Sequence, residues 1–581
     1  MENRNTGSWK NNLCFMADDG SNTDGFMTEH MEFADQLAGY VESEHPEFLV
    51  NKLYYDAYKK DMTAGTYPDV RSGLQKLLKD GLLLFNYTGH GGTTALSDEK
   101  VLTQTDINQF TYTHLPVWVT ATCDFTRFDD LNTSAGEDVF LNKSSGGIAL
   151  FTTVRVAYSR PNFPINDNVI RNLFERNNGR RRTLGEVMQA TKNTLSSVYK
   201  LGFCLIGDPA VKIAYPEFGM KVTTVNGQSV DGNSISFKAL EKITVEGEVL
   251  DASGQLVTDF TGIVNPTVKD SKVTVTCLKN SNKDDSPAFT FTDYPNTIFI
   301  GNDSVRNGKF SFTFTVPKDI SYSNLQGKMN LYAVDTESGN EAQGNFDNFI
   351  VGGTSDTAET DTIGPEIRAL YLNDTTFVDG GQVNTTPYFV AELWDKSGVN
   401  ITGSSVGHDM MLVIDESTVL SYNLNSYYEL LPGEEGTGIV KFPIPALEPG
   451  KHTAEFWVWD ILNNSTVRTF TFEVVEGLKP FLFDVIATPG IAREQVTFHL
   501  MHNRPESRMR VGIMVYDLAG RQLWKHEESG TSGLFENYTV SWDLTSGGAR
   551  MRPGVYIYRA AISTDNSKDA TKARKFIILG E

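Results

Sequence analysis

Two short apolar runs constrain this chain more than any other feature, because each ends on a reactive side chain. Leu82-Leu83-Leu84-Phe85-Asn86-Tyr87-Thr88 leads into Gly89-His90-Gly91-Gly92, and Leu115-Pro116-Val117-Trp118-Val119-Thr120-Ala121-Thr122 leads into Cys123-Asp124. Runs of this length, rich in β-formers and bounded by Gly or polar clusters, read as buried strands of a parallel sheet. Chemistry in open α/β sheets collects at the carboxyl ends of the strands. The pattern therefore puts an imidazole and a thiol on the same edge of one sheet. A thiol becomes a nucleophile when a neighbouring base takes its proton or a cationic imidazole stabilises the thiolate. Taken singly, a Cys at a strand end is usually a small buried hydrophobe and a His a satisfied polar residue. The joint pattern is what points to catalysis, with Cys123 as nucleophile and His90 as the base and then the acid that protonates a leaving amine. Glycines after His90 allow backbone N–H groups to approach an oxyanion closely.

The flanking sequence supports an α/β unit. Asn12–Ala17 reads as a strand, followed by the acidic loop Asp18-Asp19-Gly20. Apolar residues between Thr28 and Val41 recur at a helical period, Leu49–Tyr55 is a further strand, and Asp69–Lys79 is a helix that Gly81 stops. Asp106–Phe110 lies between the two apolar runs, and beyond Cys123 helices are expected at Ala135–Leu141, around Phe163–Arg176 and at Thr183–Tyr199. Strands are expected at Gly146–Phe151 and Phe203–Ile206. Strands alternating with helices imply a βα-type parallel sheet.

After Pro216 alternating strands replace helices, as in Ile243–Val249, Lys309–Phe314 and Met329–Val334. Length gives a prior of about three to five domains, and the pattern divides as residues 1–216, 217–353, 362–476 and 480–581. The last three read as β-sandwiches. Asp335 and Asp460 each end a strand before an Asn-containing turn; both can be read as calcium ligands, but turn chemistry is the preferred reading, and no cofactor or metal is expected.

Composition excludes several classes. The net charge of −22, without a basic cluster, disfavours nucleic acid as a partner. Arg180-Arg181-Arg182 reads as a solvated loop. No run approaches the roughly 18 apolar residues of a membrane-spanning helix. Four cysteines fit neither a disulfide framework nor a zinc motif, and Cys14, Cys204 and Cys277 read as inert core thiols.

Asn86-Tyr87-Thr88-Gly89-His90-Gly91 followed by Ala121-Thr122-Cys123, with Ile206-Gly207-Asp208-Pro209 closing the unit, resembles the gingipain-type cysteine peptidases of family C25. Thr122–Asp130 and Ser134-Ala135-Gly136-Glu137 look most like the sortases of the bacterial type IX secretion system. The resemblance implies a multidomain protein, with an α/β caspase-like (gingipain-type) catalytic domain followed by three Ig-like β-sandwiches, the last similar to type IX sorting domains. It also implies that an α/β half precedes this segment in a longer protein, exported to the outer membrane or cell surface.

For the site, the resemblance implies a Cys123–His90 dyad with Gly91 and Cys123 as backbone oxyanion donors. A carboxylate of the Asp18-Asp19 loop would orient His90, Asp19 being preferred over Asp18. Ala121, Tyr158 and Met27 match positions that wall the specificity pocket. Met27 stands where arginine-cleaving relatives carry an acid, so no preference for basic residues is expected, unless Glu29 moves in; His30 and His114 read as structural. Implied partners are proteins bearing C-terminal sorting domains, an amine of surface lipopolysaccharide, and other type IX secretion components. Two other readings stay open: a secreted endopeptidase that hydrolyses its substrates, and a non-catalytic surface scaffold.

Overall fold

The structure, a computed structural model, describes residues 6–20, 28–280, 287–355, 361–403, 407–431, 436–564 and 566–579. The chain forms two compact units, residues 1–358 and 359–581.

The first part of the first unit is built from β1 (Asn12–Ala17), α1 (Glu29–Glu44), β2 (Leu49–Tyr54), α2 (Pro68–Asp80) and β3 (Leu84–Thr88). The short strands β4 (Gly91–Gly92), β5 (Ala95–Leu96) and β6 (Leu102–Thr103) follow, then α3 (Gln104–Gln109), β7 (Val117–Ala121), α4 (Ala135–Leu141) and β8 (Ala149–Thr153). α5 (Ser159–Phe174), the ribbon β9 (Arg176–Asn177) and β10 (Arg180–Arg181), α6 (Leu184–Thr194) and β11 (Phe203–Ile206) complete it. Six strands make one sheet in the order β11-β8-β7-β3-β1-β2. All pairings are parallel except β11 with β8, which is antiparallel.

Both faces of this sheet are covered, which explains why its strands are continuously apolar rather than alternating. Leu13 and Phe15 of β1 and Val117 and Val119 of β7 pack on the side of α1, α5 and α6. Cys14, Met16, Phe85 and Trp118 pack on the opposite side, with α2, α3 and α4. Sharing one face brings α1 and α5 together, a placement that matters at the site.

Several boundaries differ from the sequence reading for local reasons. α5 starts at Ser159 rather than Phe163, since Pro161 lies in the first turn, where no intrahelical N–H is needed. α6 starts at a Thr183–Glu186 capping box but stops at Thr194; a 3₁₀ turn at Val198–Gly202 follows, and the Lys200 ammonium caps the carbonyl of Lys192 at 2.8 Å. Arg181 is not a solvated loop residue. It is buried, donates to the carbonyl of Pro216 at 2.8 Å and stacks over Tyr215 at 3.7 Å. A guanidinium is weakly hydrated and can be buried when its donors are used. Cys14 and Cys277 are buried, and burial pushes both thiols up, Cys277 to about 12.

Among the described residues beyond 216 the regular elements are strands, apart from one 3₁₀ turn at Asn425–Tyr427. In the first unit a nine-stranded sheet and a three-stranded sheet share one core around Phe237, Val264 and Leu331. The hairpin Val273–Thr276/Thr290–Asp293 leaves that core, and Phe291 and Cys277 pack into the α/β core instead. In the second unit a four- and a five-stranded sheet enclose Phe389 and Phe456, and a three- and a five-stranded sheet enclose Phe498 and Tyr558.

Candidate active site

Three neighbouring strands end in one row. Ala17 of β1 pairs with Thr88 of β3, which pairs with Ala121 of β7. The next residues along each strand are Asp18-Asp19, Gly89-His90 and Thr122-Cys123. Parallel pairing thus carries an acid, an imidazole and a thiol to the same carboxyl edge. Glycine is required at two points of this row: a Cβ on Gly89 would lie 2.7 Å from Asp18 Oδ2, and one on Gly91 would collide with Thr122 Oγ1.

The chain turns sharply after the thiol, with Asp124 in the left-handed region at φ 46°. Thr153 Oγ1 donates to the Thr122 carbonyl at 2.6 Å and fixes the strand end. The Cys123 sulfur, partly exposed, donates to the Ala157 carbonyl at 3.1 Å and accepts from the Ala157 N–H at 3.4 Å. Burial pushes the thiol up, the Asp124 charge adds to this, and the Ala157 N–H opposes it.

Asp18 is the hub of the histidine side. Its Oδ2 accepts the backbone N–H of His90 at 2.6 Å and the Tyr87 hydroxyl at 3.3 Å, while Oδ1 pairs with His30 Nδ1. The rings of His30 and His90 meet edge to face with centroids 5.0 Å apart. Burial alone would push Asp18 up; the His30 charge and hydrogen bond, followed by those of His90, hold it below the usual carboxylate range. The sequence pattern reads His30 as structural, and the structure sets its ring against that of His90. The signal that could have found it is topological: a helix that crosses over from β1 begins near the carboxyl edge that β1 ends on, so its first turn adjoins the site.

The preferred orienting acid, Asp19, is turned elsewhere. Consecutive side chains leaving a strand point to opposite faces, and Asp19 accepts the Tyr67 hydroxyl at 2.6 Å and lies 3.6 Å from Lys60 Nζ. The carboxylate against His90 is that of Asp18. Ala121 is buried at the end of β7, and Tyr158, just before α5, is 68 % exposed with its ring 6.2 Å from Tyr199. Met27 lies outside the described residues. The Ser97 N–H donates to the His90 carbonyl at 2.8 Å, and Gly91 pairs with Leu96 in the register that uses those flanking groups, leaving the Gly91 N–H directed away from the hairpin.

Residues 1–214 match the model of peptidase family C25. The dimeric latent PorU from Porphyromonas gingivalis is a similar solved structure, 26 % identical at a TM-score of 0.32, covering 98 % of this chain and 64 % of that one. The Arg-specific cysteine proteinase gingipain R (RgpB) is 18 % identical at a TM-score of 0.30, covering 59 % and 67 %. The tandem Ig module of the Drosophila receptor tyrosine phosphatase DLAR is 10 % identical at a TM-score of 0.16, covering 38 % and 100 %. No curated protein matches the chain. The C25 segment contains α1 to α6, and the strand-rich remainder lies outside the family model.

Among the described residues, two groups place potential metal ligands within 4.8 Å of one another: Asp18, His30 and His90, and, in the second unit, Asp361, Asp395 and Asp460. The second is an all-oxygen set, of the kind hard cations take. Its carboxylates also serve turns, Asp460 accepting the N–H groups of Leu462 at 2.9 Å and Asn464 at 2.7 Å. Burial, and then the neighbouring Asp460 and Asp361 charges, push Asp395 up to about 6.

Proposed function

We propose that this chain carries the catalytic centre of a cysteine peptidase that acts as a transpeptidase, a sortase of the type IX secretion system. The observation that carries the reading is the alignment of the strand ends of β3 and β7 within the segment that matches peptidase family C25. In the proposed reaction Cys123 attacks the scissile carbonyl, and His90 takes the thiol proton and returns it to the leaving amine. The bond broken is the peptide C–N bond and the bond formed is the thioester. The Gly91 and Cys123 N–H groups receive the oxyanion. A second amine then attacks the thioester carbonyl, giving a new amide and restoring the thiol.

The substrates in this reading are secreted proteins bearing C-terminal sorting domains, the acceptor is an amine of surface lipopolysaccharide, and the protein acts with other type IX components at the outer membrane. PorU-like extent supports it: the similarity runs across the β-rich modules as well as the C25 segment. Before any transfer, the thiol must leave the Ala157 carbonyl, since a nucleophile held as a donor there cannot attack.

The test incubates the protein with a substrate carrying a C-terminal sorting domain and a small primary amine, with products read by mass spectrometry. Cleavage with the amine attached, lost in Cys123→Ala, is the expected result. Cleavage with water alone would establish the endopeptidase reading instead. Unchanged products from Cys123→Ala would overturn the cysteine mechanism.

A further inference from the structure

Beneath the site, three polar side chains join α5 to the sheet inside an otherwise apolar core. Asn86 and Thr88 lie two residues apart on β3 and so on one face, and Asn166 of α5 reaches both. Asn86 Nδ2 donates to Asn166 Oδ1 at 2.7 Å. Asn166 Nδ2 donates to Thr88 Oγ1 at 3.2 Å and to Asn86 Oδ1 at 3.4 Å. All three residues are buried. Ile165, Val169 and Ile170 of the same helix belong to one apolar core with Leu84 and Val119. Both ends of this join lead to the site. Thr88 is followed directly by Gly89-His90. At the other end, α5 starts at Ser159, two residues after Ala157, whose N–H and carbonyl both hold the Cys123 sulfur. Asn166 stands about 10 Å along the helix from that start.

We infer that Asn166 is a positioning residue: paired with Asn86 and Thr88, it sets the offset of α5 along β3, and so sets the Ala157 grip on Cys123 relative to His90. The inference deepens the proposed function and rests on Cys123 being the reacting group. Apolar contacts are non-directional, so on their own they let a helix settle at neighbouring offsets along a strand. Hydrogen bonds are directional, and one amide serving two groups on the same strand admits a single offset. A fully connected buried polar network rigidifies and specifies one packing in this way. Replacing both partners of a buried hydrogen bond by apolar groups of matched shape can be nearly neutral for stability. Placement and stability can therefore be tested apart.

The experiment uses Asn86→Val/Asn166→Ala, which removes both amides while roughly keeping the summed side-chain volume. Iodoacetamide labelling of Cys123 and Cys14 at pH 8 is followed by mass spectrometry, beside circular dichroism and melting temperature. In the double variant the last two should stay close to native. Cys123 should label at least fivefold faster, because Ala157 no longer holds its sulfur in place, while the buried Cys14 should stay slow. With a substrate, kcat should fall at least tenfold with KM little changed. Thr88→Val removes only the hydroxyl and should move both readouts in the same direction, which covers the case of a double variant that does not fold. Thr88→Ser should behave like the native protein. Native labelling and native kcat in a folded double variant, or in Thr88→Val, overturn the inference. Cys14 labelling that speeds up along with Cys123 overturns it too, since the pair would then only hold the core together. Faster Cys123 labelling in the variants of a protein without peptidase activity would instead count against the proposed function alone.

Discussion

At the scale of single residues, the site is organised by Asp18 rather than by the histidine it serves. One carboxylate holds the His90 backbone and the His30 ring at the same time, so it sets the positions of both imidazoles. In the proposed mechanism His30 is a positioning residue. Replacing it with Ala should lower turnover roughly 10- to 100-fold, as expected for misplacement of a reacting group by about 1 Å. The loss should fall on kcat with KM little changed, whereas a loss of folded protein would show in the circular dichroism. Asp18 also makes a stability prediction with a definite sign. Its folded-state value lies below the ordinary 3.8, so its contribution is present above that pH and is lost as pH falls through the folded value. Melting temperatures of the native protein and Asp18→Asn should therefore differ at pH 6 and converge as the pH drops below about 4.

At the scale of elements, the decisive feature is the in-register ending of β1, β3 and β7. The apolar runs made the strands legible, and βα alternation made their parallel order an expectation with a mechanism behind it. Hence Cys123 and His90 could be placed on one edge from sequence. Asp18 against Asp19 could not be settled in the same way, because the choice turns on how the chain leaves β1 and which side Tyr67 and Lys60 occupy. Glycine at position 91 is an element-level requirement too, since it lets β4 pass against Thr122 at the end of β7. Gly91→Ala should reduce activity at least tenfold while the far-ultraviolet circular dichroism stays native. Gly91→Ala/Thr122→Ala should recover part of that loss, because the colliding hydroxyl is gone. Equal activity of the single and double variants would show that the oxyanion geometry, rather than the Thr122 contact, is what glycine provides.

At the scale of the molecule, the α/β part and the first β-rich part of the first unit are joined through polar groups that would be expensive to leave bare. Lys328 Nζ donates to the Phe48 carbonyl at 2.8 Å, Asn330 Nδ2 donates to the Glu47 carbonyl at 2.6 Å, and Lys52 Nζ donates to the Thr292 carbonyl at 2.9 Å. Phe291 adds an apolar contact to the same junction. Burial lowers Lys328 from 10.5 to about 8. Between those two values the unfolded chain holds a proton that the folded one has released. Stability should therefore rise as pH increases from about 8 towards 10, by up to about 3 kcal/mol, and this gain should be gone once the pH has fallen to about 8. Lys328→Met, which keeps the stem and removes the ammonium, should flatten that rise in a pH series of denaturant melts. A rise unchanged by the substitution would assign it to another group.

The sequence by itself determined which segments are buried strands, that helices alternate with them up to residue 206, and which two residues close the strands with an imidazole and a thiol. These follow from local hydrophobic pattern and from the parallel sheet that such a pattern imposes. Tertiary structure alone decided that Asp18 faces His90, that His30 joins it, and that Phe291 crosses into the α/β core. Each of these depends on side chains far apart in sequence meeting at a helix start, a strand exit or a hairpin tip. No period in the chain encodes such meetings, because they are fixed by how layers pack rather than by how any one element forms.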